Sequence, residues 1–155
     1  MSLDWNQKRK QYKIIYIFNC VIRNKKIGGV FYREFTKFNG VDGGTSLAFI
    51  HVHTLILGMM FFLIPSLFED KFHMSAFKEF KNFEIFYNAG LMTTIGMFLV
   101  RGITEVLGSD ISRGFDKAIS GIAGLGHIAL IIGLVTMLLI LNKASKKFDH
   151  QTQKI

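Results

Sequence analysis

Two long stretches without a charged side chain constrain what this chain can fold into. Residues 47–68 and 118–141, which number 22 and 24, contain no Asp, Glu, Lys or Arg. At about 1.5 Å per residue, a helix over either stretch would cross the roughly 30 Å hydrocarbon core of a bilayer. Both stretches are too long for strands, and their apolar residues do not alternate. The sequence therefore predicts transmembrane helices.

Two further segments extend this prediction to four spans. Residues 85–107 are apolar except for a few charged positions, and residues 12–32 are apolar on both sides of a basic cluster at 23–26. A Lys or Arg at the centre of a span costs roughly 2.5–3.5 kcal/mol, so this first span is imperfect. We predict an all-α integral membrane bundle of four transmembrane helices. The alternative is three spans, with the first segment lying at the membrane interface.

The basic residues predict how such a bundle is oriented. The chain has 19 Lys and Arg against 11 Asp and Glu, a net charge of +8. With four spans, eleven basic residues fall on one side and four on the other. Cytoplasmic loops carry the excess of Lys and Arg, so we predict a multi-pass protein of the cell membrane with both termini in the cytoplasm. The predicted divisions are a basic N-terminal segment 1–27, a membrane bundle 28–142 and a basic tail 143–155.

The charge needs no nucleic-acid partner, because basic termini suit the anionic inner leaflet. The sequence contains no nucleic-acid-binding motif and no motif of a catalytic site. Its single cysteine, Cys20, excludes a disulfide framework and a cysteine-based metal site. The expected partners are the lipid bilayer and either further copies of the chain or a larger membrane complex.

Ionisable residues inside a span are costly and are therefore candidates for a functional site. Within the predicted spans these residues are His51, His53, Arg101, Glu105 and His127. In the four-span topology all five lie in the outer half of the membrane. His53 and His127 are both about 10–13 Å below the outer boundary, counted along helices. Two imidazoles at one depth on different helices could bind one metal from opposite sides.

Helical geometry refines this candidate site. His51 and His53 point about 200° apart, so one regular helix does not let both chelate the same ion. A zinc or copper site also lacks carboxylate or thiolate partners at a matching depth. Arg101 and Glu105 are spaced i,i+4 and are predicted to pair. Small residues share the helical face of His127, which would allow tight packing or leave room for a flat cofactor.

Three functions remain open at this point. The first is a b-type haem protein with a redox or sensing role, in which His127 and either His53 or His51 bind the iron. The Arg101–Glu105 pair and Arg33 would then lie near the haem propionates. The second is a structural or accessory membrane subunit, in which the polar groups lock helices together. The third is a small transporter or ion conduit that uses the same polar cluster.

Four motifs occur in an order that resembles a known family. They are GGVFYREFTKFNG (28–40), HVHTLILGMMFFL (51–63), LVRGITEVLG (99–108) and ISGIAGLGH (119–127). Over about residues 28–141 the chain resembles a small bacterial membrane-protein family catalogued as a domain of unknown function. The resemblance implies a four-helix membrane protein and no particular activity. Before residue 28 the chain departs from the family, which has an uninterrupted apolar first helix.

Overall fold

The computed structural model describes residues 29–109 and 111–152. Of the predicted first span, 12–32, only residues 29–32 are described. Cys20 and the basic segment 1–27 lie outside the described residues. The described elements are α1 (29–38), α2 (Leu47–His53), a π-helical segment (Thr54–Met60), α3 (Phe61–Phe72), a 3₁₀ turn (Met74–Ala76), α4 (Glu79–Val106) and α5 (Arg113–Thr152). Every regular element among the described residues is helical, which confirms the all-α prediction.

Three helices are long and apolar enough to cross a membrane, judged by their length and composition. They cover Leu47–Glu69, Glu79–Val106 and Arg113–His150. The first of them is continuous through α2, the π-helical segment and α3. Successive helices run in opposite directions, so the bundle has two ends. We call the end with the α3–α4 turn and the last residues of α5 the basic end, and the end where α2 begins the histidine end.

Glycines allow α4 and α5 to approach each other closely. A Cβ atom added to Gly90 would lie 2.6 Å from the backbone nitrogen of Leu130 and 2.7 Å from the carbonyl oxygen of Gly126. One added to Gly133 would lie 2.9 Å from the Cβ of Tyr87. These are backbone-level contacts, and a neighbouring side chain cannot relieve them by rotating. In a membrane the hydrophobic effect contributes little to helix association, because lipid chains are as apolar as the side chains. Small residues then stabilise the contact by letting the two backbones pack closely.

The main apolar core lies towards the basic end. Its buried members come from the 3₁₀ turn, α4 and α5, and they are Met74, Phe80, Phe83, Tyr87, Leu91, Leu130, Met137, Ile140 and Ala144. Tyr87 also connects this core to the first long helix. Its ring stacks on Phe61 with centroids 4.9 Å apart, and its hydroxyl donates a 2.7 Å hydrogen bond to the carbonyl of Leu57. That carbonyl belongs to the π-helical segment.

The outward surface of α5 is apolar over much of its length. Leu125, Ile131 and Leu138 are 65%, 57% and 57% exposed. Exposed large apolar residues at this density would form an unusually large patch on a water-soluble monomer. A helix that crosses a membrane is expected to have such a surface.

The close α4–α5 contact predicts opposite effects for two Gly→Ala substitutions in α4. Gly90→Ala should destabilise the fold by about 1–3 kcal/mol, because the new methyl group meets α5 backbone. Gly96→Ala is the matched control. Its Cβ would meet nothing within 4 Å, so the better helix former should be neutral or stabilise by up to about 1 kcal/mol. Unfolding of both variants in detergent measures the difference. Equal stabilities would contradict the close packing.

Candidate histidine site

Two of the predicted site residues meet at the histidine end. His53 is the last residue of α2, and His127 lies in α5. Their ring centroids are 6.3 Å apart, with the ring planes at 90°. Of the two histidines on α2, it is therefore His53 that adjoins His127. His51 lies exposed on α2, and the ring contacts found among the described residues do not include it.

Both rings are held in the same way by their own helices. Nδ1 of His53 lies 2.9 Å from the carbonyl oxygen of Phe49, and Nδ1 of His127 lies 2.8 Å from that of Ala123. A carbonyl only accepts hydrogen bonds, so Nδ1 carries the proton in both rings. In the neutral imidazole, the lone pair is then on Nε2. A hydrogen bond from Nδ1–H to a backbone carbonyl is the usual way to fix Nε2 as a metal ligand.

Phenylalanines complete the cluster around the two histidines. The ring of Phe98, in α4, lies 4.7 Å from His53 and 6.5 Å from His127 between centroids. Phe49 lies 5.7 Å from Phe98 and 6.5 Å from His53. Phe98 thus connects the histidines of two different helices. Phe98 is not among the residues that the sequence marks as site candidates, although it lies three residues before Arg101 and so on a neighbouring helical position.

The separation of the two imidazoles limits the coordination they can provide. With metal–nitrogen bonds of about 2.0–2.1 Å, two imidazoles bound through Nε2 on opposite sides of one ion would have centroids roughly 6–6.5 Å apart. A tetrahedral ion would bring them to roughly 5 Å. The observed 6.3 Å falls in the first range. Among the described residues, no group of three or more His, Cys, Asp or Glu is placed to hold a metal ion.

A π-helical segment starts directly after His53. It covers Thr54–Met60, and Pro65 follows inside α3. Proline has no N–H, so it removes one bond of the helix ladder. π-helical turns are rare and often occur at functional sites. Hydropathy and periodicity do not predict this irregularity, although the single proline of the sequence is a signal for it.

The predicted pairing of Arg101 with Glu105 is wrong. Arg101 instead forms an ion pair with Asp116 of α5 and donates a 2.9 Å hydrogen bond to the hydroxyl of Ser120. The i,i+4 spacing allows a pair along α4, but the helix-to-helix contact with α5 provides a carboxylate and a hydroxyl together. The Arg101 and Asp116 side chains are 33% and 50% exposed.

Glu105 has a different partner, at the start of α2. Its two carboxylate oxygens accept hydrogen bonds of 2.7 Å from the backbone N–H and from the hydroxyl of Ser46. Ser46 is the N-cap of α2 and makes no side-chain capping bond of its own. The carboxylate takes that role, and it also interacts favourably with the helix dipole. Next to it, Leu47 packs against Gly102, where a Cβ would collide with it.

Arg33 lies on α1 and is exposed. Helix α1 ends in a turn at Gly40, whose φ of +64° favours glycine. No hydrogen bond or ion pair within the described part of the chain links Arg33, Arg101 or Glu105 to either clustered histidine. The structure therefore brings together His53 and His127, and it places Arg101 and Glu105 in separate contacts with other helices.

Double-mutant cycles should separate the two arrangements of charge. Arg101→Gln and Asp116→Asn should be coupled by about 0.5–1 kcal/mol in unfolding free energy, as expected for a partly exposed ion pair. Arg101→Gln and Glu105→Gln should be additive within about 0.3–0.5 kcal/mol, since they share no partner. Unfolding in detergent at low salt measures both cycles. Coupling only in the second cycle would restore the pairing along α4.

Comparison with known proteins places the chain in a family. Searches of the curated proteins and of the solved structures gave no significant match. A family model described as "Protein of unknown function (DUF2871)" matches residues 9–144, which is most of the chain. The match includes both clustered histidines, two of the three helices that could span a membrane in full, and the third helix as far as residue 144. The chain belongs to the DUF2871 family of proteins of unknown function.

Proposed function

We propose that this protein is an integral protein of the cell membrane that binds b-type haem between His53 and His127, in a redox or sensing role. One observation carries the proposal. The two imidazoles come from different helices, stand 6.3 Å apart and each use Nδ1 in a bond to backbone. This combination suits two axial ligands of one iron.

A haem iron needs at most two ligands from the protein, which agrees with a site of two histidines. The porphyrin itself supplies four nitrogens, so two histidines complete an octahedral iron. Axial histidine is a usual way for proteins to hold haem. The chain has no CxxCH sequence for covalent attachment, so the haem would be of the b type. Bound haem would supply one-electron chemistry, and the protein would set ligand orientation and the apolar surroundings.

The surroundings offer apolar contacts and an open side. Phe49 and Phe98 present aromatic rings beside the histidines. Gly124 lies one helical turn before His127, and a Cβ there would meet nothing within 4 Å.

The propionates would be met by arginine. Both described bonds of Arg101 use Nη2, to Asp116 and to Ser120. A guanidinium group has five N–H donors, so others stay available for a carboxylate. Arg33, exposed on α1, is the second proposed partner, and Glu105 supports the site by holding α2 in place. The roles of Arg101, Arg33 and Glu105 depend on haem binding and are tested with it.

The proposed orientation puts the basic end in the cytoplasm. Six lysines lie there among the described residues, and they are Lys71, Lys78, Lys81, Lys143, Lys146 and Lys147. Cytoplasmic sides of membrane proteins are rich in Lys and Arg. The histidine pair would then lie in the outer half of the bilayer. A redox or sensing role also requires a partner, either a second copy of the chain or a larger membrane complex.

The test is an absorption spectrum of the full chain. The protein is expressed with ample haem precursor and iron, purified in detergent and measured in oxidised and reduced states. We expect a Soret band and the spectrum of a low-spin, six-coordinate haem. His53→Ala and His127→Ala should each lose the low-spin spectrum. Added imidazole should restore it in part, because it can occupy the space of the missing ring.

His51→Ala is the matched control, since it removes an exposed histidine two residues from His53. It should keep the wild-type spectrum. Absence of a Soret band, together with no haem uptake by the purified apoprotein, would overturn the proposal. In that case the ring cluster is helix packing, and the structural or accessory role becomes the better description. If His51→Ala loses the low-spin spectrum and His53→Ala keeps it, the iron ligand on α2 is His51 and the assignment to His53 is wrong.

A further inference from the structure

A cleft at the basic end has the composition of an anion site. It has a volume of about 120 Å³ and is lined by Lys71, Phe72, His73, Ala76, Phe77, Ala144, Lys147 and Phe148. The lining contains two lysines, one histidine and three phenylalanines, and no acidic residue. The cleft lies between the end of α3, the 3₁₀ turn and the last part of α5.

Aromatic rings fix the position of one of the lysines. The Nζ of Lys71 lies 5.0 Å from the ring centroid of Phe148 and 5.4 Å from that of Phe72. Ammonium groups within about 6 Å of an aromatic face are attracted to it. The two rings themselves meet at 5.7 Å in a T-shaped contact between α3 and α5. The positive charge is therefore held at the cleft rather than spread over the surface.

Two carboxylates near the cleft are already engaged elsewhere. Glu69 is buried, and it accepts hydrogen bonds from the backbone N–H and the hydroxyl of Ser75. Glu79 forms an ion pair with Lys143, with 2.6 Å between Nζ and Oε1. Neither is among the groups that line the cleft. Among the described residues, the ion pairs found involve neither Lys71 nor Lys147, so their charge can meet an external anion.

The depth of the cleft points to the kind of anion. Lys147 lies six residues after Leu141, the end of the uncharged run, which is about 9 Å along a helix. Counted in the same way, Lys71 lies three residues after Phe68, the end of the other uncharged run, which is about 4.5 Å. The headgroup layer of each leaflet is roughly 5–8 Å thick. The two lysines therefore lie close to the two boundaries of this layer, one on each side of the lipid phosphates.

From charge, aromatic lining and depth together, we infer that this cleft binds the phosphate of an anionic phospholipid headgroup. Lys71 and Lys147 bind the phosphate, and Phe72, Phe77 and Phe148 contact the glycerol and the first methylenes of the chains. Basic pockets between transmembrane helices on the cytoplasmic side are known to bind such headgroups. The inference does not depend on haem binding, because the histidines lie at the other end of the bundle.

The test uses the full chain in nanodiscs of phosphatidylcholine with a minor fraction of phosphatidylglycerol. Lipid retained after gentle release into detergent is counted by native mass spectrometry. The wild-type protein should retain phosphatidylglycerol selectively. The double variant Lys71→Gln/Lys147→Gln should bind it roughly 10- to 30-fold more weakly, at about 1 kcal/mol for each lysine.

Two further variants make the result specific to the cleft. Lys81→Gln/Lys146→Gln removes the same charge from the same end but outside the cleft, and it should change retention less than twofold. Ala76→Trp keeps every charge and fills the cleft, so it should lose retention like the first double variant. Should the first double variant fail to fold, Ala76→Trp and the control pair decide the question.

A second arm distinguishes a lipid from a soluble phosphate. The thermal stability of the wild-type protein in phosphatidylcholine nanodiscs is compared in inorganic phosphate and in chloride at equal ionic strength. We expect no specific stabilisation by inorganic phosphate. Stabilisation that disappears in Lys71→Gln/Lys147→Gln, without selective lipid retention, would overturn the lipid assignment in favour of a soluble phosphate ligand. Equal loss of retention in both lysine pairs would overturn the site altogether.

Discussion

The close contact between α4 and α5 at Gly90, Gly126 and Gly133 determines where the other parts of the bundle lie. At each of these positions an added Cβ atom would collide with the facing helix. The contact therefore fixes how each of the two helices is rotated about its own axis. That rotation turns Tyr87 towards the first long helix and Phe98 towards His53. The adjacent residue after Gly126 is His127, so the contact also sets which way this histidine points.

The polar groups at the histidine end support this arrangement from two sides. Arg101 ties α4 to α5 through Asp116 and Ser120, and Glu105 ties α4 to the start of α2. Asp116 of α5 pairs with Arg101, and Glu105 binds the N-terminus of α2. The i,i+4 spacing along α4 had suggested a pair between Arg101 and Glu105 instead. Both contacts join helices, and they leave the histidine cluster to aromatic and apolar neighbours. Within the cluster, His53 is partly buried and His127 is exposed on α5.

The two ends of the bundle differ in chemistry. One end brings two histidines and two phenylalanines together inside the predicted membrane region, and the other collects lysines and phenylalanines around a cleft. The glycine contact and the core around Tyr87 separate them. Binding at one end therefore need not disturb the other, and the proposed haem site and the lipid cleft can be tested independently in the same purified protein.

By itself, the sequence determined the helical class, three of the four predicted spans and the histidines 51, 53 and 127 from which the pair comes, because length, hydropathy and helical periodicity are local properties. It could not decide which of His51 and His53 would face α5, nor that Arg101 would choose Asp116 over Glu105. Those outcomes depend on the rotation of each helix against its neighbours, which is a property of packing. Packing also supplies a partner for the π-helical segment after His53, since the hydroxyl of Tyr87 on another helix donates a hydrogen bond to one of its carbonyls.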